Sequence, residues 1–221
     1  MKTYNEQTFE AYIESAMQDG WTTVANSAFD AAHALFPEAL IAFLRNSQPA
    51  LWAELEKLNG ELLPGQILGA LVKERALKGT LHILRHGFKY QGKLLKLAYF
   101  RPAHTLSKEA EALYKSNTFQ VCRQVFYHPE KQQSIDMVLA LNGIPLATIE
   151  LKNPATGQNV KHAIQQYRED RDPSAPLLSF KTGALVHFAV DTDEVYMTTH
   201  LRKQKTFFLP FNRGSSPQSV D

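Results

Sequence analysis

The sequence predicts an α/β fold in which a mixed β-sheet is flanked by helices and interrupted by a helical insertion in its N-terminal half. Residues 118–128 alternate apolar and polar side chains, as a half-buried strand does. The apolar runs IDMVLAL and IPLATIEL follow, joined by Asn142-Gly143, a dipeptide typical of a β-hairpin turn. The segment NVKHAIQQYRED then has helical spacing, and GALVHFAVD and EVYMTTHL predict a second strand pair.

The N-terminal half has the pattern of helices. Its first helix, in NEQTFEAYIESAMQDGW, has one apolar stripe and ends at Gly20. Residues 28–112 are interpreted as a helical insertion that contains one short β-like segment at 93–100. We therefore expect one domain over residues 1–212, with its core at about 117–212 and a loop or truncated linker at 213–221.

Composition excludes several classes of protein. A net charge of +2 and a pI of about 8.5 do not by themselves indicate a nucleic-acid binder. The single cysteine, Cys122, excludes an internal disulfide and fits a reducing compartment. No apolar run has the length of a membrane span, and the eight histidines include no H-E-x-x-H zinc motif. We expect a soluble cytoplasmic protein with no membrane partner.

Three charges interrupt the two runs that look most like buried strands. Asp136 lies early in the first run, and Glu150 and Lys152 lie late in the second. Glu150 and Lys152 are two residues apart, so on a strand they point to the same side. Because burying an isolated charge is costly, such charges are normally paired or bind a metal. We interpret these three as one site.

Convergence of the two carboxylates requires an irregular hairpin. A two-residue turn pairs Leu141 with Ile144, and strict pairing then sets Asp136 opposite Ile149, on the other face from Glu150. A β-bulge or a three-residue loop would shift this register by one residue. The sequence therefore predicts such an irregularity between Asp136 and Glu150.

Two converging carboxylates suit Mg²⁺, with Mn²⁺ as a substitute, because both cations prefer hard oxygen ligands. The backbone carbonyl of Leu151 would supply a further oxygen. A cation there would lower the pKa of an attacking water and neutralise charge on a phosphoryl oxygen. Lys152 would orient or deprotonate the water, or stabilise the transition state. Together these residues predict phosphodiester hydrolysis, although an exposed Glu-x-Lys pair on a strand remains an alternative.

The stretch SIDMVL…NGIPLATIELKN resembles the core of the PD-(D/E)XK nuclease superfamily. With TGQNVKHAIQQYREDR, VHFAVDTDEVYMTTHL and TFFLPFN, it is similar to the N-terminal endonuclease domain of type I restriction enzyme R (motor) subunits. The resemblance implies a restriction-endonuclease-like fold and a type I site-specific deoxyribonuclease acting on double-stranded DNA. It also implies that Asp136 and Glu150 bind the metal and that Lys152 is catalytic.

The resemblance suggests accessory residues as well. The family has a Gln-x-x-x-Tyr feature on the next helix; here Tyr167 is present, Ala163 occupies the Gln position, and Gln166 is the candidate replacement. Related nucleases place an acidic residue of the first helix beside the metal. Glu10 is our candidate, with rivals at two neighbouring helical positions, Glu6 and Glu14.

The family implies partners outside this chain. No G-x-x-x-x-G-K-[ST] sequence is present, so ATP would be bound by motor domains of the same full-length subunit and not by these residues. The other expected partners are the methyltransferase (M) and specificity (S) subunits. Basic residues such as Lys161, Arg168 and Arg171 offer a diffuse surface for DNA phosphates.

Two other functions remain open from the sequence. One is a non-catalytic DNA-binding or docking module with a nuclease-like fold, which would leave DNA intact with or without metal. The other is a repair or recombination nuclease, which would prefer a branched or flapped substrate. His187 is interpreted as a buried core histidine. His162 is interpreted as a surface histidine, with contact to a DNA phosphate as the alternative.

Overall fold

The computed structural model describes residues 6–102 and 107–212. Within this part of the chain, seven strands form one mixed sheet in the order β1-β4-β5-β6-β7-β8-β9, and β2 pairs separately with β3. The strands are β1 (Trp21–Thr23), β2 (Phe88–Tyr90), β3 (Lys93–Leu95), β4 (Phe119–Phe126), β5 (Ser134–Leu141), β6 (Ile144–Leu151), β7 (Val186–Val190), β8 (Val195–Thr198) and β9 (Leu209–Pro210).

Seven α-helices accompany these strands in the described residues: α1 (Glu6–Met17), α2 (Pro37–Ser47), α3 (Pro49–Asn59), α4 (Leu63–Lys78), α5 (Thr80–His86), α6 (Lys108–Lys115) and α7 (Val160–Glu169). Short 3₁₀ turns lie at Asn26–Ala28, Gly60–Leu62 and Pro154–Thr156. Proline at the first turn of α2 and of α3 explains why these helices begin where they do, because proline lacks the N–H that a helix start leaves unpaired. The mixed sheet with flanking helices confirms the predicted fold class.

The sheet combines two kinds of connection. Strands β4, β5 and β6 form an antiparallel meander, and β7, β8 and β9 form another. The two meanders join through the parallel pair β6–β7, with α7 as the crossover helix. The parallel partner β1 of β4, and the edge strand β9, were not predicted, because runs of three and two residues have no readable periodicity.

Apolar side chains cover both faces of the sheet. On one face, α1 packs through Phe9, Ile13 and Met17 against a cluster that includes Met137 and Leu151. The opposite face forms a larger cluster with α7, whose buried members include Val160, Ala163 and Tyr167. The buried thiol of Cys122 belongs to this second cluster, and burial raises its pKa to about 12. A neutral, buried thiol is a packing group, as expected.

A third apolar cluster is formed by helices α2 to α5 and the β2–β3 pair. In the sequence these elements lie between β1 and β4. This arrangement matches the expected helical insertion. Strand β3 covers the first three residues of the β-like segment predicted at 93–100, and its partner β2 precedes that segment. The expected loop or linker at 213–221 lies outside the described residues. No helix in the described ranges is long and apolar enough to cross a membrane.

Candidate active site

A β-bulge in the β5–β6 hairpin sets the geometry of the site. Leu141 pairs with Ile144 as expected, but the register shifts at Leu139/Ala140, so that Met137 pairs with Ile149. Extending this register by one pair places Asp136 opposite Glu150. The predicted irregularity between these two carboxylates is therefore confirmed.

The bulge has a local cause in β6. Ala140 pairs with Pro145 and Leu139 with Ala147, so Leu146 is the extra residue. Pro145 has no N–H to donate to the ladder, and proline within a sheet is tolerated at bulges for this reason. The carbonyl of Leu146 instead accepts a hydrogen bond from the backbone N–H of Leu185 at 2.8 Å.

The bulge brings the two carboxyl groups into electrostatic contact. Glu150 is fully buried, and Asp136 is half-buried. Burial, followed by the negative charge of Asp136, raises the pKa of Glu150 to about 8. Asp136 is held by its Oδ2, which accepts a hydrogen bond from the backbone N–H of Leu151 at 2.8 Å. The arrangement concentrates negative charge beside the end of β6.

One cation partly balances this charge. The buried Arg171, just after α7, donates from Nε to Glu150 Oε1 at 2.5 Å. Its guanidinium also lies 5.8 Å from the centroid of the Tyr127 ring. The other oxygen, Glu150 Oε2, is buried and has no hydrogen-bond partner within the described part of the chain. Such an oxygen is a position at which a further ligand would bind.

Lys152 comes directly after the last residue of β6 and is buried. Its backbone N–H donates to the Val190 carbonyl at 2.9 Å, which continues the pairing of β6 with β7. Its side chain lines an open cleft with a volume of about 350 Å³. The other residues of this cleft are polar: Gln158, His162, Gln165, Gln166, Glu169 and Asp170.

Of the acidic residues on α1, Glu10 lies close enough to Asp136 to interact with its charge. It is buried, and burial followed by the charge of Asp136 raises its pKa. Its Oε2 accepts from Arg123 Nε at 3.2 Å and its Oε1 from Gln124 Nε2 at 2.7 Å. Glu14 also bonds to Arg123, at 3.2 Å, while the side chain of Glu6 lies outside what the structure describes.

The two residues suggested on α7 differ in position. Tyr167 is fully buried, and its hydroxyl lies 2.8 Å from Thr148 Oγ1. The Thr148 hydroxyl also hydrogen-bonds Nδ1 of the buried His187 ring at 2.7 Å, and burial lowers the pKa of His187 to about 3. Tyr167 therefore packs beneath the site and has no surface for DNA in this structure, whereas Gln166 lines the cleft beside Lys152.

Some basic and histidine side chains near the site have structural partners. Arg171 is buried against Glu150 and therefore does not belong to an exposed DNA surface. Arg168 donates from Nε and Nη2 to the Thr206 carbonyl. His162 caps α7 by accepting from the backbone N–H of Asn159 at 3.0 Å. Lys161 is exposed, as a phosphate-binding residue must be.

Sequence reasoning missed two side chains of the site. Arg171 was assigned to the surface, since nothing in its local pattern shows that the chain turns it back toward β6 after α7. Gln124 has no charge and no motif, yet it bonds Glu10 and lies next to Asp136. The described residues contain no group of three or more His, Cys, Asp or Glu side chains placed to hold a metal ion.

The family model described as the N terminus of the type I restriction enzyme R protein matches residues 4–206, which is most of the chain. Among curated proteins, no match was found.

Proposed function

Because the chain belongs to the family of type I restriction enzyme R protein N termini, we propose that it is a metal-dependent endonuclease domain that hydrolyses phosphodiester bonds of double-stranded DNA. The observation that carries this proposal is the bulge, which sets Asp136 opposite Glu150 and leaves Glu150 Oε2 buried without a partner among the described residues. Carboxylates are rarely buried together without compensating cations, and Arg171 bonds only one oxygen of Glu150.

Asp136 and Glu150 would hold Mg²⁺, or Mn²⁺ in its place, because both cations prefer carboxylate oxygens and keep positions for water and phosphate. The cation would supply charge neutralisation at the phosphoryl oxygen and lower the pKa of the attacking water. Lys152, two residues beyond Glu150, would orient that water or stabilise charge in the transition state. Its open cleft provides room for the phosphate backbone.

Glu10 on α1 and Gln166 on α7 would support this centre. Both oxygens of Glu10 already accept hydrogen bonds, so Glu10 would act on the metal through a water or after rearrangement. Gln166 lines the same cleft as Lys152 and would contact DNA or the attacking water. Tyr167 would contribute by fixing Thr148 and the helix that carries Gln166.

The family is that of a multi-subunit restriction enzyme, and we extend the proposal to its partners. ATP would be used by motor domains of the same full-length subunit. The methyltransferase (M) and specificity (S) subunits would supply sequence recognition, and the enzyme would work in the cytoplasm.

The test is calorimetric titration of Mn²⁺ and Mg²⁺ into the wild type and into Asp136→Asn, Glu150→Gln and Lys152→Ala. We expect one site in the wild type, a loss of affinity of at least about tenfold in both carboxylate variants, and near-normal binding in Lys152→Ala. Cleavage of supercoiled plasmid, measured in parallel, is expected to fall in all three variants. Circular dichroism establishes that each variant is folded.

Asp193→Asn is the matched control, because Asp193 is an exposed carboxylate in the turn between β7 and β8. It should bind both cations as the wild type does. Equal, weak binding by all five proteins would remove the metal site and with it the proposed reaction.

A non-catalytic DNA-binding module is the second candidate, and Arg171 is the observation that favours it. The guanidinium bonds Glu150 directly and so neutralises part of the site without any metal. This candidate predicts that the wild type binds DNA, takes up no divalent cation at Asp136 and leaves plasmid intact. The same titration therefore separates the two functions.

A further inference from the structure

Gln124 has an unusual backbone conformation for a residue inside a strand. Its φ of +50° lies in the left-handed region, which residues other than glycine adopt at a cost. In β4, Arg123 pairs with Met137 and Val125 with Ile135, but the intervening pair, Gln124 and Asp136, is missing from the ladder. The register is the same on both sides of Gln124, so the one pair missing from the β4–β5 ladder is the pair that contains a proposed metal ligand.

The side chain of Gln124 points into the carboxylate site. Its Nε2 donates to Glu10 Oε1 at 2.7 Å and lies 3.5 Å from Asp136 Oδ1, at the outer limit of a hydrogen bond. Its Oε1 accepts from Ser134 Oγ at 3.1 Å. The bonds to Glu10 and from Ser134 set the orientation of the amide, and its second N–H is directed at Asp136.

The backbone of Gln124 is also held by a hydrogen bond. Its carbonyl accepts a hydrogen bond from Asn26 Nδ2, in the segment after β1, at 3.2 Å. Unfavourable φ values persist where surrounding contacts hold them, and they concentrate at functional sites. The contacts on both sides of Gln124 meet this condition.

A neutral amide suits this position chemically. Arg123 already balances the charge of Glu10 and Glu14. A second cation at residue 124 would compete with a metal for Asp136, whereas an amide N–H orients the carboxylate and leaves its charge available.

We propose that Gln124 is a positioning residue of the metal site, which uses its left-handed backbone to aim one amide at Glu10 and Asp136. This inference rests on the proposed function, because it concerns the cation that Asp136 and Glu150 would hold. Gln124 contacts Glu10 and Asp136, so its effect would be on the geometry of the proposed ligands.

Two substitutions remove the amide contact with Glu10 without adding backbone strain. Gln124→Asn keeps an amide and tolerates a positive φ, but its side chain is one methylene shorter and cannot reach Glu10. Gln124→Gly relieves the backbone and removes the amide. We expect both variants to bind Mn²⁺ about 10-fold or more weakly by calorimetry, the usual effect of losing a residue that orients a ligand. We expect their thermal midpoints to stay within about 3 °C of the wild type.

Gln91→Gly is the matched control, since Gln91 is also a glutamine with a positive φ, of +48°, in the turn between β2 and β3. It should bind Mn²⁺ normally. Wild-type affinity in Gln124→Asn and Gln124→Gly would overturn the positioning role. So would a loss of affinity that is matched by a fall in thermal midpoint beyond this range.

Asp136→Asn in the same series separates the two proposals. If the wild type binds Mn²⁺, Asp136→Asn does not, and both Gln124 variants bind normally, the positioning role alone is wrong. If the wild type itself binds no Mn²⁺, the proposed function and this inference are both overturned.

Discussion

At the scale of single residues, the Glu150 carboxyl group has the most unusual environment in the candidate site. It is fully buried, faces Asp136, and receives one charged hydrogen bond from Arg171. Burial and the neighbouring carboxylate outweigh Arg171, and the pKa rises to about 8. At neutral pH the group without metal therefore holds a proton for most of the time.

This pKa predicts that metal binding is coupled to proton release. A cation must displace the proton of Glu150 below pH 8, so Mn²⁺ affinity should rise about tenfold per pH unit from pH 6 to 7.5 and then level. Calorimetry in buffers of different ionisation enthalpy measures the proton released for each Mn²⁺ bound. Affinity independent of pH, with no proton released, would contradict the raised pKa.

The raised pKa of Glu150 also predicts how the stability of the metal-free protein depends on pH. The folded state binds the proton of Glu150 more tightly than the unfolded state does, since the pKa is about 8 instead of 4.5. The contribution of Glu150 to stability is therefore fully present below about pH 4.5 and is lost as the pH rises through 8. Glu150→Gln serves as the control, because it removes this slope from the pH dependence of the thermal midpoint.

At the scale of elements, the β5–β6 hairpin connects the site to the helical insertion. Its turn residues, Asn142 and Gly143, both have positive φ, as a type I′ turn requires. The Gly143 carbonyl accepts from the backbone N–H of Phe36 at 2.8 Å, at the start of α2. The Asn142 amide is buried and bonds the Leu97 carbonyl at 2.9 Å and the Thr118 N–H at 2.7 Å. The turn is thus held from both sides.

Gly143→Ala should be strongly destabilising. A Cβ there would lie 2.5 Å from the Phe36 carbonyl oxygen and 2.7 Å from the Leu40 nitrogen, both backbone atoms that cannot move aside cheaply. Added to the cost of a positive φ, this predicts a loss of about 2 kcal/mol or more in the free energy of unfolding. Urea unfolding monitored by circular dichroism measures it.

Gly157→Ala is the matched control for this prediction. Gly157 follows the 3₁₀ turn at Pro154–Thr156 with a φ of +78° and a ψ of 8°, which is the left-handed region, but a Cβ there meets nothing within 4 Å. We expect a loss of only about 1 kcal/mol, from the backbone conformation alone. Equal losses in the two variants would show that a Cβ at residue 143 meets no steric barrier from α2.

At the scale of the whole molecule, the helical insertion and the sheet share apolar packing. The insertion cluster contains buried residues of α2 to α5 together with Ile144 of β6. Three further residues of the sheet region, Leu141, Leu146 and Leu185, pack against its edge. The β5–β6 hairpin is part of the sheet and also packs in the insertion cluster. Local unfolding of the insertion would therefore expose apolar surface of the sheet to water.

We therefore expect the insertion and the sheet to unfold together. The two tryptophans provide separate probes: Trp52 is buried in the insertion, and Trp21 packs on Phe119 at the edge of the sheet. In Trp21→Phe and Trp52→Phe, urea midpoints from fluorescence should coincide with each other and with circular dichroism. Circular dichroism of each variant controls for the substitution itself, and separate fluorescence midpoints would mean that the insertion is an independent unit.

The sequence by itself determined the features that arise from local periodicity and turn chemistry. These are the order of the main strands and helices, the Asn142-Gly143 hairpin, and the conclusion that Asp136 and Glu150 meet only across a bulge. The last follows because strands alternate with a period of two, so parity can be counted from the turn. The family of the chain was also readable from its motifs.

Only the tertiary structure decided which distant groups meet at the site. Arg171 reaches Glu150 across 21 positions, and Gln124 meets Glu10 across 114. No periodic pattern encodes such contacts, because each depends on how a whole helix or loop packs against the sheet. The position of the bulge at Leu146 and the burial that raises the pKa of Glu150 have the same origin. Burial belongs to the assembled sheet and helices, and a single strand does not have it.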